Sequence, residues 1–144
     1  MRTNGFTLVE LLVVVAMMGL LASAAVLMWP GQDDLAREAA ARFASRAAAA
    51  RDEAILTGQP LGVWVTPSGY GLERYGQDGW EPVDARPLNA QDWGKGLAAD
   101  TGGGARRVRF DSVGLPDTPL EIAVVGEAQR VPVRIEAAGE VRLP

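Results

Sequence analysis

The chain has 144 residues, 14 basic and 18 acidic side chains, a net charge of −4, and neither Cys nor His. Disulfides, thiolate chemistry, imidazole general bases and Cys/His zinc sites are therefore excluded, and an acidic chain is a poor default partner for nucleic acid or an anionic lipid surface. The length allows one membrane helix and one domain of about 110 residues, enough for a modest core.

The N-terminal stretch Gly5-Phe6-Thr7-Leu8-Val9-Glu10 leads directly into an apolar run, Leu11 to Trp29, with no charged side chain between Glu10 and Asp33. As a helix this run spans roughly 28 Å at about 1.5 Å per residue, close to the hydrocarbon thickness of a bilayer. An ionisable group costs about 2.5–3.5 kcal/mol at the centre of a membrane helix and less near its end, so Glu10 needs a partner. Thr7-x-x-Glu10 before an apolar run is also a capping-box pattern, in which Glu10 serves only local backbone donors. Arg2 on one flank and Asp33-Asp34 on the other fit a cytoplasmic amino terminus and an external carboxyl domain. The rival reading is a secretory signal over residues 1–24 with Ala22-Ser23-Ala24 as the cleavage site; against it, the apolar run continues beyond that point to Trp29.

Residues Gly5 to Glu10 resemble the processing site of the type IV pilin and type II secretion pseudopilin superfamily: a short leader ending in Gly, Phe at the first mature position, and Glu at the fifth. The resemblance implies a leader over residues 1–5, cleavage between Gly5 and Phe6 by a membrane prepilin peptidase, and N-methylation of Phe6. It further implies a transmembrane, filament-core helix over residues 6–29, with Glu10 pairing to the Phe6 ammonium of a neighbouring subunit during assembly.

Pro30-Gly31 predicts a kink or short break, and a helix that restarts at Asp33-Asp34 carries anions in its first turn. Within residues 30–58 the positions Ala36, Ala39/Ala40, Phe43, Ala47, Ala50 and Ala54 form a stripe at spacings of three and four. Glu38 and Arg42 make an i,i+4 pair on the wet side. The small-residue stripe predicts close packing on a sheet of the same chain, with Phe43, Ile55 and Leu56 as larger anchors; packing on other subunits' helices is the alternative. Gly58 caps the helix and Pro60 stops it.

From residue 59 the period changes to two. Leu61 to Thr66 alternates Leu61, Val63 and Val65 against Trp64. Turns at Pro67-Ser68-Gly69 and Gln77-Asp78-Gly79 separate it from strands at Tyr70–Tyr75 and Trp80–Val83, an antiparallel meander. Residues 86–105, Gly-rich and without periodicity, read as an irregular segment: either a partner-contact surface or a solvated loop whose one aromatic, Trp93, tucks onto the core. Alternation resumes at Arg107–Phe110, Leu120–Val125, Val131–Ile135 and Glu140–Leu143, the last as an edge strand.

The expected fold class is thus α+β: a long N-terminal α-helix, transmembrane in its first half, followed by an antiparallel β-sandwich domain over residues 59–144. This arrangement, with Arg51 to Pro60 running into the first strand, Arg109 to Pro116, and the Gly139-x-Val141 hairpin, resembles the GspH/FimT-type subgroup of the type IV pilin-like superfamily. The subgroup comprises minor pseudopilin H of type II secretion and the FimT-type minor pilins. The resemblance implies a non-enzymatic pseudopilus subunit, held in the cell inner membrane with its carboxyl domain in the periplasm. Its partners would be the other minor pseudopilins, the major pseudopilin, the prepilin peptidase and secreted substrates. The alternative is a FimT-type minor pilin acting in pilus assembly or DNA uptake. Its cue is Arg106-Arg107-x-Arg109, although alternation puts Arg107 and Arg109 on a solvated face and Glu140 stands where a further base would help. No acid/base pair, nucleophile elbow, phosphate loop or metal signature is present, so no catalytic residue, cofactor or metal is expected.

Overall fold

The computed structural model describes residues 7–27 and 32–144, and the chain divides into an N-terminal unit and a domain over Gln32–Pro144. The expected joint at Pro30-Gly31 lies outside the described residues. The N-terminal unit contains helix α1, Leu8–Leu27. Thr7 begins it: its hydroxyl accepts the N–H of Glu10 at 3.3 Å, which satisfies one of the otherwise orphaned first-turn donors, and its carbonyl accepts the N–H of Leu11 at 3.2 Å as the first bond of the helix. Ser23, the polar side chain within the run, donates its hydroxyl to the Gly19 carbonyl at 2.9 Å, an arrangement that hides a polar group on an apolar helix. The helix continues through Ala22-Ser23-Ala24, the segment that a secretory signal would present for cleavage.

The domain opens with α2, Gln32–Thr57. Its stripe is buried as expected: Ala36, Ala39, Ala40, Phe43, Ala47, Ala50 and Ala54 are each at most 1% exposed. Glu38 and Arg42 pair at 2.7 Å on the wet side. The helix ends where Gly58 takes a φ of 65°, a left-handed conformation costly for any residue with a Cβ. Two expected anchors are corrected. Ile55 is 43% exposed and Leu56 82%, because at about 100° per residue they fall one and two steps round the helix from the stripe position Ala54.

Nine strands follow among the described residues: β1 Leu61–Val65, β2 Gly69–Gly76, β3 Gly79–Pro82, β4 Gln91–Asp92, β5 Ala98–Asp100, β6 Arg106–Phe110, β7 Leu120–Val125, β8 Arg130–Ile135 and β9 Val141–Arg142. They form two antiparallel sheets, the first ordered β3-β2-β1-β6 with β4 also on β2, the second β5-β7-β8-β9. The meander and the edge position of the last strand are as the alternation predicts. The irregular reading of residues 86–105 is corrected, since β4 and β5 lie within it. Two- and three-residue strands are too short to show a period.

α2 packs on β1 and β6 of the first sheet and on β7, β8 and β9 of the second, so helix and sheets close around one core. Leu61, Val63 and Val65 face Leu72, Tyr70, Val108 and Phe110 in the first sheet, and Leu120, Ile122 and Val124 face Val131, Val133 and Ile135 in the second. The Ala stripe lets the helix approach closely. Trp93 settles the open question of its loop: it is 1% exposed, donates its indole N–H to the Thr66 carbonyl at 3.0 Å, and packs with Phe43 and Tyr70 at ring separations of 5.5 and 4.6 Å.

Candidate functional site

The residues expected to carry processing and assembly are at the amino terminus. Gly5 and Phe6 lie outside the described residues. Glu10 lies in the first turn of α1, where a carboxylate is favoured by the helix dipole. Its backbone N–H serves the Thr7 cap, while its side chain is exposed and makes no hydrogen bond among the described residues. The capping box is therefore half formed: Thr7 caps the helix, and the Glu10 carboxylate does not reach back. From Thr7 to Val26 the side chains of this unit are exposed. It is the one described helix long and apolar enough to cross a membrane.

The basic cluster has a geometry that sequence reasoning did not foresee. In β6 the side chains of Arg107 and Arg109 point to the outer face of the first sheet, while Arg106 has the opposite parity. Opposite Gly62 of β1 stand Arg109 on one side and Glu73 of β2 on the other. With no side chain at Gly62, Glu73 spans the gap; a Cβ there would lie 2.6 Å from its Cγ. Glu73 is 6% exposed, and its two carboxylate oxygens meet Arg109 Nε at 3.2 Å and Arg107 Nε at 3.4 Å. Arg109 also lies over the Trp80 ring, 4.5 Å from its centroid, a cation–π contact. Trp80 meets its cross-strand partner Tyr75 at 5.5 Å.

Trp64, the outward residue of β1, lies over Gly71, where a Cβ would come within 2.6 Å of the indole. Two glycines thus make room for a flat layer of indole, guanidinium and carboxylate groups. Glu73 escaped notice because alternation marks it only as polar; its burial follows from the pairing of β2 with β1 and β1 with β6. A Glu opposite a Gly in a predicted hairpin was the available signal.

Several other basic groups are also engaged. Arg142 pairs with Glu140 at 2.6 Å and holds that carboxyl below the usual carboxylate range. Arg130 pairs with Asp100 at 2.6 Å. Arg46 donates to the Pro87 carbonyl beside a groove of about 830 Å³ between α2 and the segment before β4. Among the described residues no group of His, Cys, Asp or Glu could hold a metal ion.

Comparison with known proteins decides the family. The model of the family described as type II transport protein GspH matches residues 39–139, and that of the prokaryotic N-terminal methylation motif matches residues 1–26. The chain belongs to the GspH family. Within it, type II secretion system protein H of Escherichia coli (strain K12) is 36% identical over 107 residues, which cover 67% of this chain and 63% of that protein. The match thus spans less than two thirds of the relative's length. Among solved structures, the minor pseudopilin EpsH from the type 2 secretion system of Vibrio cholerae superposes with a TM-score of 0.66 at 26% identity, covering 77% of this chain and 97% of that one. The type IV minor pilin FimU of Pseudomonas aeruginosa gives a TM-score of 0.60 at 18% identity over 76% and 87% of the two chains. It shares the fold. The α+β class expected from the change of period, and the pilin-like form of it that the resemblance implies, is the class observed, and the GspH family is that of a structural pseudopilus component.

Proposed function

We propose that this chain is a minor pseudopilin of a type II secretion system, a non-enzymatic subunit of the pseudopilus that drives export of folded proteins across the outer membrane. The observation that carries it is the GspH family match over residues 39–139, joined to an N-terminal methylation motif over residues 1–26. Residues 1–5 are the leader, 6–29 the membrane and filament-core helix, 30–58 its periplasmic half and 59–144 the β domain. The prepilin peptidase cuts between Gly5 and Phe6 and methylates Phe6. Glu10 then pairs with the Phe6 ammonium of the adjacent subunit, which offsets the cost of a carboxylate at the edge of the hydrocarbon. The precursor rests in the inner membrane with its domain in the periplasm, and its partners are the other pseudopilins and secreted cargo.

The DNA-uptake alternative is disfavoured by the geometry of the arginines. Neutralising a duplex needs several cations acting together, whereas Glu73 holds Arg107 and Arg109 and Glu140 holds Arg142. Deletion of the gene in its native host tests the reading. Export of the host's secreted enzymes should stop and return with the wild-type gene, while transformation is unaffected; normal export with lost transformation would make the chain a pilin.

A further inference from the structure

We propose that the outer face of the first sheet, built by Trp64, Tyr75, Trp80 and Arg107 over the buried Glu73, is the docking surface for a carboxylate-bearing segment of an adjacent pseudopilin's periplasmic domain. This rests on the pseudopilin reading, because it requires a neighbouring subunit.

The inner face of this sheet is covered by α2, but the outer face is open: Tyr75 is 60% exposed, and the side chains of Arg107 and Arg109 are 55% and 37% exposed. Two of the chain's four tryptophans and one of its two tyrosines stand there. Trp, Tyr and Arg are the residue types that dominate the energetic centres of protein interfaces.

These side chains are fixed before any partner arrives. Trp64 rests on the backbone of Gly71, Arg109 is held between Glu73 and Trp80, and Trp80 is braced by Tyr75. A surface already ordered loses less entropy on association.

Charge selects the occupant. Two guanidinium groups share the one buried carboxylate, Glu73, while the Asp117 carboxylate at the strand edge accepts the Arg109 backbone N–H, so the exposed Arg107 is the group that can meet a further anion. Arg107 reaches Glu73 at its Nε while its side chain stays 55% exposed, and the guanidinium so presented is a fork suited to one carboxylate in bidentate geometry. A single fork among aromatic rings matches an acidic side chain flanked by apolar ones. It does not match a polyanion.

The absence of Cys makes the test direct, since Tyr75→Cys introduces the sole thiol of the full-length chain. In membranes of the native host that contain all the pseudopilins, maleimide should label this thiol several-fold more slowly than in membranes lacking the other minor pseudopilins. A Glu127→Cys thiol, in the exposed turn between β7 and β8, should label equally in both. Arg107→Ala should reduce recovery of the other minor pseudopilins with this chain about tenfold, Arg107→Lys should recover part of it, and Lys95→Ala should change nothing. Equal labelling at position 75, in chains that still co-purify with the other minor pseudopilins, overturns the docking surface and leaves the pseudopilin reading intact. Failure of the wild-type chain to co-purify with any of them overturns both. Retention on duplex DNA that is lost in Arg107→Ala would assign the face to DNA and overturn the partner named here.

Discussion

Glu73 is the acid on which the outer layer of the first sheet depends. Its carboxylate is buried while both arginine partners remain partly in water, so the pair is screened on one side only. Removing a hydrogen-bonded group from such a site costs about 1–3 kcal/mol, and Glu73→Ala should lower the urea midpoint of unfolding correspondingly, with loss of the Arg109–Trp80 stack as a change in Trp fluorescence. A double-mutant cycle of Glu73→Ala with Arg109→Ala should show coupling of at least ~0.5 kcal/mol; strict additivity would mean that the two do not act together. Gly62 and Gly71 matter through the space they leave. Alanine at either would put a Cβ 2.6 Å from Glu73 or from the Trp64 indole, and overpacking of this kind costs about 1–3 kcal/mol. Little of this was legible in sequence beyond a Glu opposite a Gly in the predicted hairpin, because Glu73, Arg107 and Arg109 otherwise read as routine polar positions of strands. Their convergence depends on strand register, which only the paired sheets supply.

At the level of elements, α2 was the most legible part of the domain. Small residues at spacings of three and four define its buried face whatever they pack against. Phe43 is the one large side chain in that stripe and meets Tyr70 and Trp93. Phe43→Ala should therefore cost about 3–5 kcal/mol, read as a fall in the thermal midpoint, and a loss below 1 kcal/mol would contradict the packing described. Leu56→Ser, on the opposite side of the helix and 82% exposed, should stay within about 0.5 kcal/mol of the wild type. The meander β1 to β3 was equally legible, because alternation and turn residues agree there. Between residues 86 and 105 they do not: glycines mask short strands, and the role of Trp93 is fixed by Phe43, 50 positions away in sequence.

For the whole molecule, the core is drawn from α2, the two sheets and Trp93 just after β4, and the side chains of α1 from Leu8 to Val26 are exposed along an apolar helix. A fragment of residues 32–144 should accordingly unfold in a single cooperative transition without detergent; gradual melting would show that the domain depends on the preceding segment. In the native host, Gly5→Ala should leave a full-length precursor in the membrane. Glu10→Ala should be processed normally yet co-purify several-fold less with the other pseudopilins, while wild-type incorporation would confine Glu10 to the helix cap. The measurement that bears most directly on the central claim is the intact mass and amino-terminal sequence of the wild-type chain recovered from its host's membranes. A chain that begins at N-methylated Phe6 is the predicted result, and a chain that begins at Ala25 would contradict it, releasing a free periplasmic domain with no helix to enter a filament.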